Sequence, residues 1–237
     1  MAYWILKAVL SPVFFLLWRV KVEGREHIPV DGPAVLAANH QSFCDSFFLP
    51  LVLRRRVTYV AKAEYFDSWK TAWFFRAAGQ IPMSRSGGDA SQRALDTATQ
   101  VLGSGQLLGI YPEGTRAPDP RLHKGHTGVA RLSLRCDVPI VPVGIVGTRA
   151  VQPPGSRVLR PFHSVTIRFG PPVTYRHAGE VVTTGQCGEP VGDGSGPAGR
   201  ELDQTELRSL TDALMKEIAR LSGQEYVDRY ASRAKAS

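Results

Sequence analysis

Six short apolar runs, at 34–38, 58–61, 80–83, 107–111, 140–145 and 165–169, mostly lack the apolar–polar alternation of a half-exposed strand. Between and beside them, segments 42–53, 66–78, 89–102 and 125–135 carry apolar residues at helical spacing. A strand apolar on both faces must be covered on both faces, and interposed helices supply that cover. The pattern therefore restricts the chain to the α/β class, with a mostly parallel sheet flanked by helices. Ligands of such sheets bind beyond the carboxyl ends of the strands, so chemistry is to be sought in the residues that follow each run.

The flanks of this region differ in character. Residues 1–20 are almost wholly apolar, with Trp4, Phe14, Phe15 and Trp18 among leucines and valines and only Lys7 charged before Arg19. A signal peptide would place its basic residues first and small residues at its end, and here the order is wrong. A spanning helix needs about 20 apolar residues, and this run falls short. The expectation is a membrane-anchoring helix, bent at Pro12, lying in one leaflet with its tryptophans at the interface. The alternative is a helix packed on the domain core. Residues 21–177 form the main domain. Residues 178–200 turn rich in Gly, Thr, Glu and Pro and read as a flexible loop. Residues 201–237 read as a C-terminal helix and tail. Asp203 and Glu206 are placed for a capping box, and Leu207, Leu210, Leu214, Ile218 and Leu221 form a core-facing stripe.

Composition narrows the partners. A hydrophobic share of 43% with 21% charged residues suits a chain that buries a real core. The net charge of +8 favours anionic partners: a bilayer surface, nucleic acid or phosphate-bearing molecules. No aromatic RNA-binding signature or zinc-finger spacing accompanies the charge, so nucleic acid is set aside. Cys44, Cys136 and Cys187 are odd in number and widely spaced. They suggest neither a disulfide framework nor a metal site, and they suit a reducing, cytoplasm-facing environment.

His40 and Asp45 stand where the run 34–38 gives way to a helix, in Asn39-His40-Gln41-Ser42-Phe43-Cys44-Asp45. A carboxylate behind a histidine fixes its tautomer and stabilises the imidazolium, which makes the histidine a general base. On a continuous helix these positions would not share a face. With His40 in the turn and Asp45 in the first helical turn, they can meet. In a chain with 6 histidines this spacing arises by chance roughly one time in four, and Asp45 could equally cap a helix. Cys44 reads as packing rather than as a nucleophile.

Other strand ends carry cations. Tyr111-Pro112-Glu113-Gly114-Thr115-Arg116 follows one run, with a glycine for close approach, a hydroxyl and a planar guanidinium fork. Arg85 follows Gln80-Ile81-Pro82-Met83-Ser84, and Lys62 follows Tyr59-Val60-Ala61. Converging cations of this kind are what a phosphomonoester requires. His126, near Lys124, reads as a turn or surface residue.

Taken in order, His40-x-x-x-x-Asp45, the stretch from Gly79 to Arg85, Glu113-Gly114-Thr115-Arg116, and Val138-Pro139-Ile140-Val141-Pro142-Val143 resemble four sequence blocks. They are those of the glycerolipid acyltransferases, especially bacterial 1-acylglycerol-3-phosphate acyltransferases. Lys62-Ala63-Glu64 and Lys124-Gly125 add to the likeness, which spans residues 22–170. Ala117 departs from it, standing where a serine often follows the arginine.

The resemblance implies a glycerol-3-phosphate acyltransferase-like fold and an enzyme on the cytoplasmic face of a cell inner membrane. His40 would deprotonate the free hydroxyl of lysophosphatidic acid, which attacks an acyl thioester, and Asp45 would orient His40. Lys62, Arg85, Glu113, Gly114, Thr115 and Arg116 would form the phosphate site, with Glu113 placing a cation or hydroxyl rather than touching phosphate. Val138, Pro139, Ile140, Val141 and Pro142 would shape the acyl or acceptor channel. Acyl-CoA or acyl carrier protein would be the co-substrate, with no metal or other cofactor. Two alternatives stand beside this: an acyltransferase for another lysophospholipid or a lyso-aminolipid, and a non-catalytic peripheral phospholipid-binding protein.

Overall fold

The structure, a computed structural model, describes residues 2–83, 90–156, 158–175, 181–183 and 203–234; a few side chains within these ranges, Lys62 among them, lie outside the description. In chain order the elements begin with α1 (Ala2–Leu17), β1 (Arg19–Glu23), β2 (Ala34–Ala38), α2 (Asp45–Val52), β3 (Val57–Lys62), α3 (Trp69–Ala77) and β4 (Ile81–Met83). There follow α4 (Ala90–Gly103), β5 (Leu107–Ile110), β6 (Leu122–His123), α5 (Gly128–Cys136), β7 (Ile140–Val146) and α6 (Thr148–Val151). The chain continues through β8 (Ser164–Phe169), β9 (Val173–Tyr175), β10 (Val181–Thr183), α7 (Gln204–Ser222), β11 (Tyr226–Val227) and α8 (Ala231–Ala234). The main sheet runs β1-β8-β7-β2-β5-β3-β4, with β9 and β10 joined beside β7. Pairing is parallel from β7 to β4, while β8 and β9 meet β7 antiparallel. The expected class is therefore found.

Its physical basis is visible in β2, the centre of the sheet. Val35 and Ala37 point into one apolar cluster, built with α4, α5 and α7. Ala34, Leu36 and Ala38 point into a second, built with α2 and the end of α1. All five are buried, which is why the run shows no alternation. A side chain such as Phe48, packed in the second cluster, contributes about 1.5–3 kcal/mol by leaving water. In contrast, β8 alternates between buried and half-exposed residues from Val165 on, its buried residues facing the second cluster.

The flanks correct the sequence reading in part. Helix α1 is 16 residues long with Pro12 inside it, and no helix among the described residues is long and apolar enough to cross a membrane. Its end packs on the domain: Trp18 is buried against Phe14 and Phe48, and its indole N–H donates to the Arg160 carbonyl at 2.7 Å. Trp18 is thus a core residue, not an interfacial one. The residues just after it form β1, a strand masked in the sequence by the apolar run ahead of it. Within 178–200 only β10 is described. On α7, Asp203 accepts from the Thr205 amide at 3.1 Å as a cap should. Among the described residues no return bond from the Asp203 amide to Glu206 is present, and Glu206 Oε1 is buried without a partner. All five residues of the α7 stripe are buried.

Candidate active site

The register of the sheet brings two loops together. Ala37 of β2 lies beside Ile110 of β5, so the chain leaves both strands at the same level and His40 emerges next to Tyr111. Helix α2 starts only at Asp45, later than its sequence suggested, because residues 39–44 are needed for a turn. In that turn the Asp45 carboxylate reaches back over its own loop. Its Oδ2 accepts from the Gln41 amide at 2.8 Å, the Ser42 amide at 2.9 Å and His40 Nδ1 at 2.9 Å. A carboxylate only accepts, so Nδ1 carries the hydrogen and Nε2 holds the free lone pair. Asp45 is fully buried, while the His40 side chain keeps 15% of its surface exposed.

Aromatic rings hold the imidazole flat. Tyr111 stacks on His40 with centroids 3.9 Å apart and planes 10° from parallel, and Tyr59 stacks behind Tyr111 at 5.6 Å. The Tyr59 ring fills the space over Gly109, where any Cβ would lie 2.3 Å from it. The Tyr111 hydroxyl meets Ser46 Oγ at 3.1 Å.

Glu113 joins the loops from below. One carboxylate oxygen accepts from the His40 amide at 2.8 Å and the other from the His123 amide at 3.0 Å. Burial pushes this carboxyl up to about 7, against the two amide bonds that favour its charge. The Ala117 amide donates to the His40 carbonyl at 2.8 Å, so both sides of the His40 backbone are tied to the 113–117 loop. Gly114 turns that loop at a φ of 72°, a left-handed conformation suited to glycine. Thr115 is half-buried and Arg116 is exposed. Among the described residues, Arg116 has no hydrogen-bond or ion-pair partner and follows the loop that flanks His40.

Of the expected site residues, the structure brings His40, Asp45, Glu113, Gly114, Thr115 and Arg116 together. Glu113 has both oxygens committed to backbone amides within the protein. The backbone of Lys62 ends β3, and Arg85 lies outside the described residues. Val138, Ile140 and Val141 sit in the core, and Pro139 and Pro142 accept backbone bonds from Val35 and Gly170. None of these five lines the apolar crevice that is described, between α1, α2 and the residues that follow α3. Leu6, Leu10, Phe47, Leu51 and Ser46 line that crevice, and Ser46 connects it to Tyr111 and hence to His40. Cys44 is packed inside, and burial raises its thiol to about 11, so it supplies no thiolate.

The acyltransferase family model matches residues 19–146, more than half of the chain and all of the loops just described. The chain belongs to the acyltransferase family. It is 28% identical over 172 residues to the chloroplast 1-acyl-sn-glycerol-3-phosphate acyltransferase of Arabidopsis thaliana, covering 72% of this chain and 48% of that protein. With the 1-acyl-sn-glycerol-3-phosphate acyltransferase of Bacillus subtilis the identity is 30% over 144 residues, covering 60% and 68%. The chain spans about half the length of the plant and algal relatives it matches. The crystal structure of the 1-acyl-sn-glycerophosphate acyltransferase PlsC from Thermotoga maritima superposes with a TM-score of 0.66 at 25% identity, covering 92% of this chain and 79% of that one.

Sequence reasoning missed several residues of this candidate site. Tyr111 was quoted in a motif without a role. Arg149 follows β7, and its position at a strand end was the available signal; it donates to the Pro118 carbonyl at 2.9 Å and the Asp119 carbonyl at 3.2 Å. Asn39 fastens the start of the His40 loop to β7, its side chain exchanging two bonds with the Ile145 backbone at 2.7 and 2.8 Å.

Proposed function

We propose that the chain transfers a fatty acyl group from acyl-CoA or acyl carrier protein to the free hydroxyl of 1-acylglycerol 3-phosphate, forming phosphatidic acid. The observation that carries this reading is the orientation of His40, with Nδ1–H fixed on Asp45 and the Nε2 lone pair left available. Nε2 takes the proton of the acceptor hydroxyl as its oxygen attacks the thioester carbonyl. The tetrahedral centre collapses, the carbon–sulfur bond breaks, and the departing thiolate recovers the proton from the imidazolium. Asp45 stabilises that imidazolium while it lasts.

Arg116 supports a phosphomonoester acceptor, being a guanidinium beside the base with no partner among the described residues. Glu113 serves as the brace that joins the His40 loop to the loop of Arg116. The acyl chain lies in the crevice between α1 and α2, whose lining is apolar and which reaches Ser46. The Val138–Pro142 segment shapes the centre of the sheet behind the site.

The enzyme works on a membrane surface. Ile5, Val9, Val13 and Leu16 leave one side of α1 exposed, and Trp69 and Trp73 are exposed on α3. Exposed Arg54, Arg56 and Arg76 are suited to an anionic headgroup layer around them. Substituting Ile5, Val9 and Leu16 together by serine moves the protein to the soluble fraction in vesicle flotation; unchanged flotation places the anchor elsewhere.

The function is tested by incubating purified protein with a panel of lysolipids and acyl donors and reading products by mass spectrometry. Phosphatidic acid from lysophosphatidic acid is the expected product. Acylation of an amino-acid-headed or other lysolipid alone reassigns the acceptor. Failure to release any thiol with every donor overturns the reading in favour of a lipid-binding protein.

A further inference from the structure

The segment from Gly223 to Tyr230 follows α7 and lies outside the 19–146 stretch that carries the family likeness. It runs beneath both site loops and is stitched to them. Gln224 Oε1 accepts from Asn39 Nδ2 at 2.7 Å, beside His40, and its Nε2 donates to the Pro120 carbonyl at 2.6 Å. Next, β11 pairs in parallel with β6, Tyr226 opposite Leu122 and Val227 opposite His123. The Glu225 carbonyl accepts from the Leu122 amide at 2.9 Å, and the Arg229 carbonyl from the Lys124 amide at 3.1 Å. Asp228 pairs with Lys124 at 2.6 Å.

The strap ends on an aromatic contact. Tyr230 stacks on His126 with centroids 4.7 Å apart and planes 16° from parallel. His126 in turn packs beside Gly114: a Cβ at that glycine would lie 2.9 Å from its Cδ2. The His126 amide also donates to the Pro112 carbonyl at 2.8 Å. Pro112 and Gly114 bracket Glu113, and Arg116 follows two residues on. Tyr230, His126 and Gly114 thus form one line of contact from the strap to the loop bearing Arg116.

We infer that this strap positions the acceptor loop, with Tyr230 acting through His126 on Gly114 and so on the placement of Arg116. Neither ring is required to touch the substrate; both are positioning residues. A loop held less firmly by its far side samples more conformations, and an acceptor must then select the competent one, which weakens its apparent affinity; the base is spared as long as the Glu113 and Ala117 bonds to the His40 backbone hold. Gln224 does the equivalent for the other loop through Asn39.

The test compares Tyr230→Ala, His126→Ala, the double variant and Tyr230→Phe. Either alanine variant raises the KM for lysophosphatidic acid about tenfold with kcat within about twofold, the signature of lost acceptor binding. The double variant matches either single one, because both break the same line of contact. Tyr230→Phe keeps the stacked ring and stays near the wild type. Amide hydrogen exchange of residues 111–118 rises in the alanine variants, while exchange in α4 does not. Unchanged KM, multiplied effects in the double variant, or unchanged exchange at 111–118 overturns the inference. If Tyr230→Ala does not fold, His126→Ala carries the same prediction with the strap intact. The kinetic arm rests on the proposed acceptor, whereas the exchange arm needs no substrate. Absence of turnover by the wild type therefore counts against the function, and unchanged exchange against the strap.

Discussion

The His40–Asp45 and His123–Asp119 regions each place a histidine beside an aspartate at hydrogen-bond distance, 2.9 and 3.1 Å, yet they differ in what meets the second ring nitrogen. In the first, Asp45 takes one ring nitrogen and the other is left available. In the second, Nε2 faces Asp119 at 3.1 Å and Nδ1 faces the Arg229 carbonyl at 3.2 Å, so acceptors meet both ring nitrogens. Arg121, hydrogen-bonded to Asp119, holds that carboxyl well below the usual range, which keeps a charge beside the His123 ring. His123 is 1% exposed and ties the C-terminal strap to the 119–123 loop. On the proposed function, what meets the second nitrogen is what separates a base from a fastener.

The contrast is broken most sharply at His40. His40→Ala lowers turnover by ~10²–10⁴, the usual contribution of a general base. Steady-state rates near normal would leave the two pairs indistinguishable. Next in size is Arg116→Ala, which removes charge-assisted bonds worth roughly 1.5–3 kcal/mol each and raises the KM for a phosphomonoester acceptor by ~10- to 100-fold. Competition between lysophosphatidic acid and a lysolipid without a phosphomonoester reads that effect directly.

Glu113, which bonds to the backbone of both histidines, gives a pH-dependent prediction. Its carboxyl sits at about 7 in the folded chain, above the ordinary 4.5, so the folded state holds the proton more tightly than the unfolded state. Its contribution is most favourable below pH 4.5 and declines as pH rises towards 7, by about 3 kcal/mol. Denaturant midpoints at pH 5 and pH 7.5 measure the decline, and Glu113→Gln flattens it. The same variant loses about 1–3 kcal/mol at low pH, because its amide cannot accept from both backbone N–H groups. The smallest effect is expected of His123→Gln: about 1 kcal/mol of stability with turnover within a few-fold. A loss of activity matching that of His40→Ala would refute the assignment of His123 as a fastener.

What the sequence revealed follows from which interactions leave a pattern in it. Strand β2 was evident because burial on both faces removes alternation, and the α7 stripe because helical packing selects every third or fourth residue. His40 and Asp45 could be paired in advance, but not the delayed start of α2, which depends on Asp45 capturing the amides of Gln41 and Ser42. The strap was invisible for the same reason. Its bonds run largely through backbone groups of Glu225 and Arg229 and through strands two residues long, which impose little demand on residue type. Trp18 misled because an indole looks alike in a core and at an interface. Val138–Pro142 could be read as buried, and Ile140 to Pro142 do open the central strand β7, but an apolar run carries no sign of which cavity it borders.

The double tie of the His40 backbone bears on redesign. Its amide is held by Glu113 and its carbonyl by the Ala117 amide. A segment transplanted from a relative to change headgroup preference would span those two anchor points, so it would reset the height and tilt of the imidazole as well. Residues 39–45 and 111–117 are accordingly one interchangeable cassette, to be exchanged together or left in place together.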